Sequence, residues 1–304
     1  MDMKNMHGVS LRRLAMATLQ MPDQYGGGST NHEVDASSRL HADTVGRTGY
    51  DVYYPLSKSG NQMAANGLGW IIVDALDTLM IMNLTSRLSH AREWISTSLN
   101  YDQDQEVNTF ETTIRMLGGF LSAYYLSTTY PDMASITDDD HGAAGEDLYL
   151  EKAADLADRL LGAFDSGSGI PYASVNLRTL KGIASHADGG ASSTAEATSV
   201  QLEMKYLAML TGEKNYWDKA EKVMQVVDDN GMEDGLLPIF IHADQGTFRG
   251  ENIRLGSRGD SYYGTHGSPD TEALMADNEQ SISSSSICRL LRRNPFISTC
   301  GIKR

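Results

Sequence analysis

Four placements of ionisable residues in this chain could carry chemistry. Asp74 and Asp77 stand in Trp70-Ile71-Ile72-Val73-Asp74-Ala75-Leu76-Asp77-Thr78-Leu79, where nearly every neighbour is apolar. A helix apolar on all sides is expected to be buried, and a buried carboxylate is costly unless it is paired or used. The plain alternative is a cap or an ion pair to a neighbouring helix. Glu111 and Arg115 are four positions apart and leave one helix face together. That is either one wall of a charged cleft or an ordinary surface pair worth about 0.2–0.5 kcal/mol. Ser193-Thr194-Ala195-Glu196 fits the S-x-x-E capping box, which by itself accounts for Glu196. Arg258-Gly259-Asp260-Ser261-Tyr262-Tyr263 sets opposite charges two apart beside aromatic residues. Carboxylates so placed suit general acid and base work on a bound substrate, or a cation.

Other motifs carry less. Gly67-Leu68-Gly69 lacks the third glycine and the preceding strand of a dinucleotide loop. Arg-Gly-Asp as an adhesion motif is a common chance match. The eight histidines show no ligand spacing, and Cys288 and Cys300 form neither a metal pattern nor a disulfide framework. They leave the redox compartment open. Asn83-Leu84-Thr85 is a glycosylation sequon only if the chain enters the secretory pathway.

The elements that must position these residues are helical. Apolar residues from Gly67 to Met82 and from Leu88 to Leu99 predict two helices. Val107, Phe110, Ile114, Leu117, Leu121 and Tyr124 recur at spacings of three and four, the face of one long helix. Gly118-Gly119 within it permits close approach by a neighbour or a sugar ring. Leu150 to Phe164, Val200 to Leu210 and Tyr216 to Asp228 predict three more, the second stopped near Gly212. Ile170-Pro171-Tyr172 reads as an extended connection, and Gly235 to Phe248 as a short hairpin. Paired helices with small strands between them predict an all-α architecture, a solenoid or a closed double ring.

Residues 1–48 are polar with Gly26-Gly27-Gly28-Ser29 among them, a mobile leader with no apolar region of a secretory signal. Thr137 to Gly145 is an acidic loop. After Tyr263 the periodicity disappears, and Ser281 to Ser286 is low complexity, so 264–304 reads as an aberrant, disordered tail. With 40% hydrophobic residues in 304, the rest can bury a core. Forty acidic against 25 basic residues give a net charge of -15, which repels phosphate backbones and makes nucleic acid a poor partner. No run approaches the roughly 18 apolar residues of a membrane span.

Several segments together resemble one family. Asp51-Val52-Tyr53-Tyr54-Pro55-Leu56-Ser57, Gly67 to Met82, Glu106 to Leu126, Ile170 to Leu177, Ser192 to Gly212 and Leu255 to Tyr263 are similar, in order, to the N-terminal half of the class I α-1,2-mannosidases, glycoside hydrolase family 47. The likeness covers about residues 49–263 and implies an (α/α)7 barrel of helix pairs, present to roughly its first half. It implies an enzyme that trims α-1,2-linked mannose from high-mannose N-glycans or glycoproteins with inversion, in the endoplasmic reticulum, the Golgi or outside the cell. It also implies one Ca2+. By the same resemblance Glu111 and Asp260 are catalytic, Glu111 as an acid acting through water. Arg115, Glu196 and Arg258 match sugar-binding positions, and Asp74 rather than Asp77 matches the cleft aspartate.

One departure qualifies this. Where the family continues with Glu-Tyr-Leu-Leu-Lys, this chain reads Gly264-Thr265-His266-Gly267-Ser268. The glutamate one turn beyond Asp260 is gone, as are the later helix pairs, the general-base glutamate and the threonine that binds Ca2+. Such an abrupt loss implies a break in the gene model. The chain as written is then expected to hold Ca2+ weakly and to be inactive, a relative that at most binds glycans or a partner protein.

Overall fold

The computed structural model describes residues 50–54, 56, 57, 59–133, 148–231 and 236–266. The expected leader, the acidic loop Thr137 to Gly145, most of the 264–304 tail and both cysteines lie outside the described residues.

A hairpin of β1 (Val52–Tyr54) and β2 (Ser59–Asn61) leads into α1 (Trp70–Asp74) and α2 (Leu76–Ile81). The entry is fixed by Asp51, a buried carboxylate that accepts from the backbone N–H groups of Met63, Leu68 and Trp70 at 2.7 to 3.0 Å. It satisfies donors at the helix start that have no partner within the helix. Gly69, at φ +73°, sits so close to Trp94 that a Cβ would lie 2.6 Å from its ring. Between α1 and α2 the N–H of Ala75 still reaches Ile71 O and that of Leu79 reaches Ala75 O, so the two run on as one rod. Next, α3 (Thr85–Thr97) packs on α2.

β3 (Glu106–Asn108) precedes α4 (Thr109–Glu111), a π-helical stretch Thr112–Leu117, and α5 (Gly118–Thr129). The long helix expected from Val107 to Tyr124 is corrected here. Val107 lies in the strand, and Thr109, Thr112, Thr113, Met116 and Leu117 are buried, while Phe110 and Ile114 are half-buried. The wider π turn rotates the buried face away from the 3.6-residue pattern, and the Thr113 hydroxyl donates back to Thr109 O at 2.7 Å. Gly119 answers the glycine question as helix packing: a Cβ there would lie 2.7 Å from Val73 O of α1.

α6 (Leu148–Leu160), with a 3-10 turn to Phe164, covers α5. β4 (Ser174–Asn176) pairs antiparallel with β3 and with β5 (Gly182–Ile183). β6 (Ser192–Ser193) leads directly into α7 (Thr194–Ser199) and α8 (Gln201–Thr211), which ends at Gly212 with φ +78° as its sequence predicts. α9 (Lys214–Asp229) packs on α8, with the Lys205 ammonium 4.9 Å from the Trp217 ring centroid. β7 (Phe240–Ile241) pairs with β6 and turns back at Phe248, and α10 (Asp260–His266) packs on α7. That helix runs past Tyr263. Leu68, Ile72, Leu76, Leu117, Phe120, Leu156 and Met204 lie in one continuous core. Among the described residues no helix is long and apolar enough to cross a membrane.

Candidate active site

The start of the helix run at Thr109 and that at Thr194 are built alike. Asn108 caps α4, its Oδ1 accepting from the Glu111 N–H at 2.7 Å, and Ser193 caps α7, its Oγ accepting from the Glu196 N–H at 3.4 Å. Each cap therefore places a glutamate in the first turn, and α4 and α7 are neighbours. The Glu196 side chain does not simply close the capping box. It takes a hydrogen bond from the Asn108 side chain, so one asparagine holds the backbone of Glu111 and the carboxylate of Glu196.

From Glu111 the contacts continue to α1. Arg115 Nε donates to Glu111 Oε2 at 2.7 Å, and Arg115 Nη1 lies 3.5 Å from Asp74 Oδ2. Side-chain exposures of 41–43% for the three residues show an open, solvent-reached surface. This corrects the expectation that Asp74 is buried: α1 is covered by neighbours on most of its circumference but not along the line of Asp74. Asp77 is separate, accepting from the Ser122 hydroxyl at 3.0 Å. Desolvation, only partly offset by Arg115, raises the Asp74 carboxyl above its ordinary value. Glu196 is raised too, chiefly by burial and further by Glu111 and Asp188, against the lowering pull of the Asn108 bond and Arg258.

Arg258 faces Glu196 from the loop before α10, its guanidinium 5.1 Å from the Phe240 ring centroid and its Nη1 3.3 Å from Asp188 Oδ2. Asp260 is exposed at the first residue of α10 and accepts from the Ser261 N–H at 2.9 Å. A small cleft lined by Phe110, Pro171, Tyr172, Ser192 and Glu196 opens beside the cluster. The structure thus joins Asp74, Arg115 and Glu111 directly, with Glu196 reached through Asn108 and under the electrostatic influence of Arg258. It offers carboxyl groups raised toward protonation next to fixed guanidinium donors, the equipment for gripping hydroxyls and moving a proton.

The sequence pattern of Glycosyl hydrolase family 47 matches residues 47–280. The chain belongs to this family. It is 56% identical over 215 residues to a mannosyl-oligosaccharide 1,2-alpha-mannosidase of Candida albicans, covering 71% of this chain and 35% of that protein. It is 46% identical over 231 residues to an endoplasmic reticulum mannosyl-oligosaccharide 1,2-alpha-mannosidase of Saccharomyces cerevisiae, covering 71% of this chain and 40% of the relative. The chain spans well under half the length of these curated relatives. An alpha-1,2-mannosidase from Trichoderma reesei shares the fold, with a TM-score of 0.63 at 24% identity over 88% of this chain and 49% of the other.

The described residues do not by themselves supply a site for the Ca2+ that the family resemblance implies. Among the described residues no group of three or more His, Cys, Asp or Glu side chains could hold a metal ion. The acidic side chains of the cluster face arginine and asparagine partners instead of one another.

Sequence reasoning missed Asn108, Asp188, Phe240 and Glu203. Asn108 was within reach, because Asn108-Thr109-Phe110-Glu111 has the spacing of a cap followed by an acid three residues on. Glu203 lies on α8 over Gly118, where a Cβ would sit 3.7 Å from Glu203 Cγ. Its Oε2 is buried with no hydrogen-bond partner among the described residues, and burial pushes the carboxyl up to about 7.

Proposed function

In place of the inactivity expected from the break after Tyr263, we propose that this chain binds and hydrolyses α-1,2-linked mannose at the ends of high-mannose N-glycans, on glycoproteins of the secretory pathway. The observation that carries the proposal is the cluster in which Arg115 joins Glu111 and Asp74, Asn108 joins the Glu111 backbone to Glu196, and Arg258 acts on Glu196 electrostatically. Membership of family 47, and relatives named as mannosyl-oligosaccharide 1,2-alpha-mannosidases, support the same reading. One of these relatives is named as an endoplasmic reticulum enzyme, which supports the compartment. The helix pairs are read as consecutive parts of an (α/α)7 barrel whose inner helices carry the charges.

In this reading Glu111 delivers a proton, through an intervening water, to the glycosidic oxygen as its bond to the anomeric carbon breaks. A second water attacks that carbon from the opposite face and loses its proton to a carboxylate, so the configuration inverts. Asp260 is the second catalytic carboxyl. Asp74, Arg115, Glu196 and Arg258 hold the sugar hydroxyls and fix the ring for attack.

The test is to incubate the 304-residue chain with α-1,2-mannobiose and follow the anomeric protons by NMR. Early appearance of β-mannose supports the proposal, and α-mannose first overturns inversion. Saturable binding without cleavage would leave a glycan-binding module, and neither binding nor cleavage would reject both.

A further inference from the structure

Arg258 is held more tightly than a surface arginine needs to be. Its backbone is left-handed, φ +73°, and so is that of Asp188 at φ +55°. Non-glycine residues in this region are uncommon and persist where their surroundings over-determine them. Here the surroundings are visible. The Arg258 carbonyl accepts from the Ala195 N–H at 2.9 Å, tying it to the first turn of α7, next to Glu196. The guanidinium lies over the Phe240 ring, 5.1 Å from its centroid. Its Nη1 meets Asp188 Oδ2 at 3.3 Å, and the Asp188 carbonyl is itself pinned by Arg249 Nη1. The Asp188 side chain is 23% exposed against 40% for Arg258, so the anchor is the less accessible partner.

A guanidinium carries five N–H donors in a rigid plane. With one edge on Asp188 and one face on Phe240, the plane is fixed and the remaining donors are presented beside Glu196. Adjacent hydroxyls of a sugar suit such a fork. We propose that Asp188 is a positioning residue that locks the Arg258 guanidinium for recognition of the glycan. This rests on the reading of Arg258 as a sugar-binding residue, and the two are separable by experiment.

The full chain is labelled with 15N-arginine, and the Arg258 Nε–H signal is identified by its loss in Arg258→Lys. Asp188→Asn, which keeps the side-chain volume and tolerates left-handed backbone, is expected to speed the solvent exchange of that signal. Should the asparagine variant not fold, Asp188→Gly suits the same φ and also removes the carboxylate. Titration with α-1,2-mannobiose is expected to show Asp188→Asn weakened about fivefold. Arg258→Lys should be weaker still, and the double variant no weaker than Arg258→Lys alone. An unchanged Arg258 signal in Asp188→Asn, or losses that simply multiply in the double variant, overturns the proposal. If the unaltered chain binds no mannobiose, the glycan reading fails, while the nitrogen signal alone still decides whether Asp188 locks Arg258.

Discussion

Glu203 gives the sharpest quantitative expectation. Its carboxyl ionises near 4.5 in an exposed setting and about 7 in the folded chain, because burial penalises the charge and Oε2 finds no donor among the described residues. Below pH 4.5 the group is protonated in folded and unfolded chains alike and has no effect. As pH rises from there through 7, the unfolded chain ionises first, so stability is progressively lost. At about 1.4 kcal/mol per pKa unit, the loss above pH 7 approaches about 3 kcal/mol. Glu203→Gln keeps the shape and removes the titration. Any cost of the buried amide is independent of pH, so only the change with pH is read. Urea unfolding of both proteins at pH 5 and pH 8 should show the unaltered chain losing about 2.5 kcal/mol relative to the variant over that interval. Parallel pH dependences for the two, or a Glu203 carboxyl that titrates at its ordinary value by carbon NMR, would refute the reasoning.

Three further outcomes are expected. Gly119→Ala should destabilise by about 1–3 kcal/mol, because its Cβ meets the Val73 backbone at 2.7 Å, whereas Gly118→Ala, whose Cβ comes no closer than 3.7 Å to Glu203 Cγ and Thr113 O, should be neutral or stabilising in thermal melts. Equal effects at the two sites would contradict the packing described. Asn108→Ala should cost about 1 kcal/mol for the lost cap and raise the Glu196 carboxyl further, since the bond that lowers it is removed; carbon NMR of Glu196 checks the direction. Asp74→Asn should change stability by less than about 1 kcal/mol, the pair to Arg115 being half-exposed, and denaturant midpoints will show whether it does.

What the sequence discloses is set by how local each cause is. Gly212 stops α8 because a left-handed residue is needed immediately after the last turn, and that is written in one position. Glu111 and Arg115 meet because four residues bring them to one face. The family resemblance separates Asp74 from Asp77, and in the folded chain one turns to Arg115 and the other to Ser122. Periodicity found the helical run that spans Phe110 to Tyr124 but not its start or its exact face, because strand pairing with β4 captured Val107 and a π turn shifted the face. Burial of Asp74 was overestimated because an apolar sequence does not say which side of a helix is left uncovered. Asp188 and Phe240 were invisible for another reason: they reach Arg258 across distant loop and strand segments, and neither belongs to a pattern around it.

The central claim is that the cluster around Glu111 is a glycosidase centre. The direct measurement is mannose release from a high-mannose N-glycan by the unaltered chain, by Glu111→Gln, and by Asp77→Asn as a neighbouring carboxylate outside the cluster. Release by the unaltered chain and by Asp77→Asn, with a loss of about 100-fold or more in Glu111→Gln, is the result expected. Release that survives Glu111→Gln unchanged, or that falls equally in Asp77→Asn, would contradict the assignment of this cluster as the reacting site.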